Sequence, residues 1–361
     1  MTAALRVPGR IGRDGWPTST RLLIGGAAVG LCVAIFLSLS IGATGITLAS
    51  LPRVLMAMLT GRYEADVARE QLVLIDIRLP RLLLGMFVGA ALAVAGAMMQ
   101  GMFRNPLADP GLVGVSSGAA LAAVATIALG NSLAAPWIKT FGAYALPMAA
   151  FVGGVATTMI LVGIVSRQGQ MAVSTLLLAG VALAALNGAL MGLIAYSSDD
   201  RELRDLTLWM LGSLSGASWP KVLATIPFAV LIALVLPRLI RGLNGLLLGE
   251  AEAFHLGIDV ERTKRAIVLV TSAAVGAAVA VSGILGFVGI VVPHLVRLLA
   301  GPDHRVVLPA SALMGATLVL AADILARMLV RPAELPLGVV MAILGAPIFL
   351  HMVVKRGMGG S

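Results

Sequence analysis

The sequence holds a single cysteine, Cys32, which excludes an intrachain disulfide framework and a thiolate metal site built by this chain alone. Lying within an apolar run, Cys32 reads as a small apolar filler. The four histidines, His255, His294, His304 and His351, fall at no metal-ligand spacing. No metal site is expected, and a metalloenzyme is not indicated. The chain has no GxxxxGK[ST] loop and therefore no P-loop nucleotide site. Charged residues make up 12%, about half the share of a soluble domain. Aromatics reach only 4%, too few for the girdles of an outer-membrane barrel.

What is present is apolar and small. Of 361 residues, 59% are hydrophobic and 42 are glycine, with a mean hydropathy of +1.00. A soluble core cannot hide that much apolar surface, so the solvent is lipid. Small residues allow close helix approach where lipid supplies no hydrophobic drive for association. Apolar runs recur at about 22–41, 82–102, 111–129, 145–165, 171–195, 220–240, 265–282, 284–300, 306–329 and 336–354. The first is long enough to span the ~30 Å hydrocarbon core and too long for a cleavable signal segment. These runs predict an all-α integral membrane protein of about ten transmembrane helices, with both termini cytoplasmic.

The net charge of +9 marks topology rather than nucleic acid, because the basic residues sit between the apolar runs. Inner segments carry 15 of the 26 Lys and Arg residues, leaving 11 outside. That bias has the sign of the positive-inside rule. Five outer arginines crowd the stretch from Arg53 to Arg81. An internal match pairs VGAALAVAGAMMQ at 88–100 with VGAAVAVSGILGF at 275–287, seven of 13 positions being identical. The same offset of 187 pairs Pro106 with Pro293. With opposite directions across the membrane, the two copies read as an inverted repeat with halves at about 82–196 and 265–354. The alternative is chance similarity between two Ala/Gly/Val-rich helices.

No catalytic constellation is visible. Asp323 is the clearest carboxylate within an apolar run, and such a residue is a functional candidate by default. Arg327 lies four positions later on the same face, so a local ion pair explains it as well as a proton relay does. RNPLADPG at 104–111 places two prolines and a glycine where a helix must break. LLGEAEAFHLGIDVERTKR is the longest charged, non-spanning inner stretch; it has helical spacing, with Ala253 and Leu256 on an apolar side and an end near Gly257.

Three stretches carry a resemblance: IRLPRLLLGMFVGAALAVAGAMMQGMFRNPLADPGLVGVSSGA at 77–119; LLGEAEAFHLGI at 247–258; and GFVGIVVPHLVRLLAGPDHRVVLP at 286–309, followed by LPLGVVMAILGAP at 335–347. They resemble the permease subunits of type II ABC importers of the FecCD family, which take up iron–siderophores, heme and cobalamin. The likeness runs from about residue 20 to the C-terminus. Residues 1–20 form a cytoplasmic extension, and residues 21–361 form one permease domain with a coupling segment at about 245–262.

The resemblance implies a cytoplasmic gate at Asn105 and Leu107, faced by Ser174 and Thr175. A plain helix–loop–helix turn with capping hydroxyls is the alternative. It implies that Glu250, Ala253 and Gly257 belong to a coupling element seated on an ATPase subunit. It also implies that Arg78, Arg81 and Arg327 meet acidic residues of a periplasmic binding protein; snorkelling at helix ends is the alternative.

The outer stretch YSSDDRELRDLTLWMLGSLSGASW at 196–219 is similar to that of heme permeases. On that basis Arg201 and Arg204 would meet heme propionates, with Met98, Met99 and Met102 as an adaptable apolar wall. Pairing of the two arginines with Asp199, Asp200, Glu202 and Asp205 in a helix cap is equally open. The expectation is a homodimeric inner-membrane permease of a bacterial heme ABC importer, embedded in lipid and without affinity for nucleic acid. The chain is not itself an enzyme and holds no permanent cofactor: ATP and Mg are used by two partner ATPase subunits, and a periplasmic heme-binding protein delivers heme. The alternatives are an iron–siderophore or cobalamin permease and, from another class, a stand-alone ion-coupled carrier. An integral-membrane enzyme is the remotest reading.

Overall fold

A computed structural model describes residues 18–41, 56, 70–130, 132–167, 170–171, 173–330 and 333–358. Most of the N-terminal extension, together with Arg53, Arg62 and Arg69 of the arginine-rich outer stretch, lies outside the described residues.

In lipid, a segment must satisfy its backbone polar groups internally, and each apolar run accordingly forms a helix. In chain order these are α1 (Thr18–Ser40), α2 (Leu79–Phe103), α3 (Val115–Ala128), α4 (Ala135–Phe141), α5 (Ala145–Val165), α6 (Val173–Ser197) and α7 (Asp200–Met210). After them come α8 (Trp219–Leu248), α9 (Glu250–His255), α10 (Val260–Ser282), α11 (Val288–Ala300), α12 (His304–Met328) and α13 (Leu337–Met358). A π-helical turn, Val73–Arg78, leads directly into α2. Strand pairing among the described residues is confined to a two-residue ladder, Ser166–Arg167 against Gln170–Met171, between α5 and α6.

All ten expected apolar helices are present. Seven are long and apolar enough to cross a membrane, while α3, α11 and the apolar part of α13 are shorter. The 13 residues of α11 reach only about 20 Å. By contrast α8 has 30 residues, about 45 Å, which is longer than the ~30 Å hydrocarbon core. The most enclosed spans are α2 and α10, and the most exposed are α1 and α6.

Glycine sets the close approaches. A methyl group on Gly96 would lie 1.9 Å from the Gly289 carbonyl oxygen, and one on Gly89 would lie 2.2 Å from that of Gly315. These contacts seat α2 against α11 and α12. Met98, Met99 and Met102 fall within this packed interior. The expected substrate wall is therefore corrected: the inward face of α2 is needed for helix packing, and the three methionines fill the core.

The two matched segments of the internal repeat follow different local paths. Residues 88–100 stay helical as far as Phe103, whereas 275–287 leave the helix at Gly283, whose φ is 70°. Pro106 lies in the turn after α2, and Pro293 lies inside α11.

Candidate functional site

At the end of the bundle expected to face outward, four charged side chains from three elements converge. The Arg81 Nε of α2 lies 3.0 and 3.2 Å from the two carboxylate oxygens of Asp323 in α12. The far edge of the same guanidinium donates to Glu334, with Nη1 to Oε1 at 3.0 Å and Nη2 to Oε2 at 2.9 Å. One turn along α12, the Arg327 Nε sits 3.1 Å from Asp323 Oδ2. Arg327 Nη1 also donates to the Ile41 carbonyl at 2.8 Å, and Arg78 donates to the Leu39 carbonyl. The cluster thus ties the end of α1 to α2 and α12. Asp323 is 1% exposed and Arg81 9%, so the charges are held by paired, bidentate geometry rather than by water.

Arg78, Arg81 and Arg327, expected as docking contacts, are therefore turned inward in the isolated subunit. Glu334, on the loop before α13, is the exposed member of the group. Sequence reasoning found the Asp323–Arg327 pair from its spacing of four. It missed Arg81 and Glu334 as partners, because contacts across 242 and 253 residues leave no local signal.

Arg201 and Arg204 lie on α7, a short helix capped by Asp199. Asp199 Oδ1 accepts from the Glu202 backbone at 2.7 Å, and the Glu202 side chain accepts from the Asp199 N–H at 3.2 Å, which completes a capping box. Leu206 is buried and anchors the helix, while both arginines are exposed. Among the described residues neither makes an ion pair. The cap acids thus serve the backbone and leave both guanidiniums available.

At the opposite end, α2 stops with Arg104 in a left-handed conformation at φ 49°. The Asn105 N–H closes the last turn on Gln100 O at 3.2 Å, and its side-chain oxygen accepts from Leu107 N at 3.1 Å. Asp109 Oδ1 accepts from Gly111 N at 2.7 Å and caps the turn Pro110–Val113. Burial pushes the Asp109 carboxyl above the usual range, opposed by that hydrogen bond. Asn105 is exposed and Leu107 half-buried; Ser174 and Thr175 are exposed at the start of α6. That helix packs closely on the same turn, since a methyl group on Gly180 would lie 1.9 Å from the Leu112 carbonyl oxygen.

A buried polar chain not anticipated from the sequence joins this end of α2 to α8. Gln100 Nε2 donates to the Gly289 and Ile290 carbonyls at 3.2 and 3.1 Å, and its oxygen accepts from Arg297. Arg297 Nη2 lies 3.4 Å from His304 Nε2, and His304 Nδ1 lies 2.9 Å from Asn244 Oδ1. An arginine can only donate, so the neutral tautomer with hydrogen on Nδ1 satisfies both contacts. Isolated polar residues in apolar runs were the available signal, but their pairing needed the fold.

The expected coupling segment forms α9 and the turn after it. Ala253 is wholly buried, whereas Phe254 and Leu256 are 71% and 54% exposed. The expected apolar side is thus split: Ala253 packs inward, and Leu256 faces outward together with Phe254, which sequence reasoning missed. Glu250 reaches buried Lys264 at 3.1 Å, and Glu261 also holds it at 2.7 Å. Gly257 closes the helix at φ 74° with its N–H on Phe254 O at 2.9 Å, the left-handed cap expected of glycine.

Against this geometry, the comparisons with known proteins agree on one family. Residues 30–355 match the FecCD transport family. The chain is 47% identical over 288 residues to the hemin transport system permease protein HmuU of Yersinia pestis, covering 78% of this chain and 83% of that protein. It is 45% identical over 286 residues to the cobalamin import system permease protein BtuC of Halobacterium salinarum, covering 79% and 74%. Among solved structures it is similar to a metal-chelate type ABC transporter in an inward-facing conformation, with TM-score 0.79, 32% identity, and coverage of 93% of this chain and 99% of that one. The chain belongs to the FecCD transport family, as a multi-pass ABC-importer permease of the bacterial inner membrane.

Proposed function

We propose that this permease carries heme inward, as a homodimer with its pathway between protomers. In this reading two ATP-binding subunits dock on α9 and hydrolyse ATP with Mg, a periplasmic heme-binding protein docks at the Arg81 end, and the chain keeps no cofactor. The observation that carries the heme reading is the pair of exposed guanidiniums on α7. Arg201 and Arg204 are three residues apart and share a helix face, with Leu203 and Leu208 exposed on the same short helix. Heme offers two propionates and a flat apolar ring, and arginine's planar fork suits carboxylates. The similarity to a hemin permease points the same way.

A second reading, cobalamin, is favoured by the similarity to cobalamin permeases. Cobalamin presents amide side chains where heme presents carboxylates, so it makes less use of Arg201 and Arg204. Asn105, Leu107, Ser174 and Thr175 are proposed as the inner gate, with Glu250 and Gly257 shaping the coupling element. The test is ATP-dependent uptake into liposomes holding the permease and its ATPase, with the binding protein outside and heme competing against cobalamin and a ferric siderophore. Heme uptake that falls in Arg201→Gln/Arg204→Gln supports the heme reading. Preferred uptake of cobalamin, unaffected by that variant, overturns it and leaves the architecture intact.

A further inference from the structure

Where α8 leaves the membrane, its last turns, the turn after α9 and the start of α12 enclose a cavity of about 510 Å³. Arg241 of α8 and Arg305 of α12 both line it, alongside Ile240, Leu248, Leu256 and Ile258. Both arginines are exposed, and among the described residues neither guanidinium has an ion pair. The nearest carboxylate in sequence, Asp303, is engaged elsewhere. Its Oδ1 accepts from Asn244 Nδ2 at 2.7 Å and from the Arg305 backbone N–H at 2.9 Å. Asn244, which also lines the cavity, turns its own oxygen to the His304 backbone N–H and to its ring, each at 2.9 Å. The polar floor is thus satisfied internally, and two cations are left facing a cavity with apolar walls.

A small inorganic anion would use the cations and leave those walls wet. An amphiphile with an anionic head uses both. Further along α8, Leu231 and Leu234 are 41% and 60% exposed on a span made for lipid, so an acyl chain can follow the helix from the cavity. Basic pockets between spanning helices on the cytoplasmic side suit anionic lipid headgroups. We propose that this cavity binds the phosphate headgroup of an anionic phospholipid, held between Arg241 and Arg305. The lipid would lock the end of α8 to α12, beside Leu256 of the proposed coupling segment. Its assignment to the cytoplasmic leaflet rests on reading that end as inner, whereas binding itself does not depend on orientation.

The experiment is native mass spectrometry of the full-length permease without ATPase in detergent, titrated with phosphatidylglycerol, with phosphatidylcholine of the same chains, and with inorganic phosphate. The expected result is preferential retention of phosphatidylglycerol. It should weaken on the order of tenfold in Arg241→Gln/Arg305→Gln and stay unchanged in Arg262→Gln/Arg265→Gln, which loses the same charge outside the cavity. Matching elution volumes and thermal midpoints of the lipid-free variants would show that both fold. Equal retention in the cavity variant overturns the proposal. So does displacement of the lipid by millimolar phosphate, which makes the site one for a free anion. Unchanged lipid retention with weakened ATPase assembly in the same variant overturns it in favour of an acidic protein contact.

Discussion

Arg81 and Asp323, 242 residues apart in sequence, meet inside the bundle with Arg81 Nη2 2.9 Å and Nε 3.0 Å from the same carboxylate oxygen. Arg327 holds the other oxygen at 3.1 Å. One buried carboxylate therefore balances two guanidiniums, and Glu334 shares Arg81 from the solvent side. The geometry makes Asp323 a fixed counter-ion. Both of its oxygens are engaged by guanidiniums from two helices, which gives Asp323 a structural role and counts against an ion-coupled carrier built on this residue.

Asp323→Asn should destabilise the permease strongly. It leaves Arg327 without a carboxylate and Arg81 with Glu334 alone, and uncompensating a buried charge costs about 3–5 kcal/mol. Thermal unfolding in detergent should show a clear fall in midpoint. The folded fraction should still transport when its ATPase is present. An unchanged midpoint with abolished transport would instead mark Asp323 as a relay.

Glu334→Gln should strengthen docking of the periplasmic binding protein. In the free subunit Glu334 occupies both outer donors of Arg81, the donors that an incoming acidic side chain would need. Removing its charge releases them, and the gain should be a few-fold in affinity at low salt and smaller at high salt. Arg81→Glu should have the opposite effect. A Glu334→Gln variant that docks no better would mean that the partner lands elsewhere.

The bundle was legible from the sequence because lipid forces each apolar run into a helix, and all ten runs did so. A local signal also held at Gly257, whereas at Asp199 a helix cap formed without the arginine pairing that was the alternative there. What stayed hidden was set by three-dimensional neighbours. Nothing around Met98 distinguishes a pathway wall from a core, because both are apolar. Nothing near Arg81 announces Glu334. On α9, the burial of Ala253 and the exposure of Phe254 follow from how the segment folds back on α8, where Gly245 leaves room for Ile258. Gln100, Arg297, His304 and Asn244 each looked like an isolated polar residue until the packing of α2, α11, α12 and α8 joined them.

Phe254→Ala/Leu256→Ala should weaken assembly with the ATPase subunit while leaving the permease folded. Both side chains are exposed on the proposed coupling segment and contribute little to the core, so the loss on folding should be small. At an interface, truncating two large apolar side chains at the centre typically costs a few kcal/mol, or at least tenfold in affinity. Co-purification and uptake should fall together. Ala253→Leu should behave differently: Ala253 is wholly buried against Gly245, and its enlargement should lower the thermal midpoint of the permease alone.

Asp109 supplies a pH test of the turn that follows α2. Burial raises its carboxyl above the ordinary value, so the folded state binds the proton more tightly than the unfolded chain does. The stability contributed by the protonated form is therefore complete below the ordinary aspartate range, and it declines as pH rises through the elevated value. Asp109→Asn keeps an oxygen to accept from Gly111 N but cannot ionise. As pH rises above the ordinary aspartate value, the wild-type midpoint should lose more than that of the variant, so their difference should shift in favour of Asp109→Asn. Asp109→Ala removes the acceptor as well and should be less stable than Asp109→Asn throughout, by about 1 kcal/mol for a lost cap. Parallel pH profiles for wild type and Asp109→Asn would show that folding does not raise the Asp109 carboxyl.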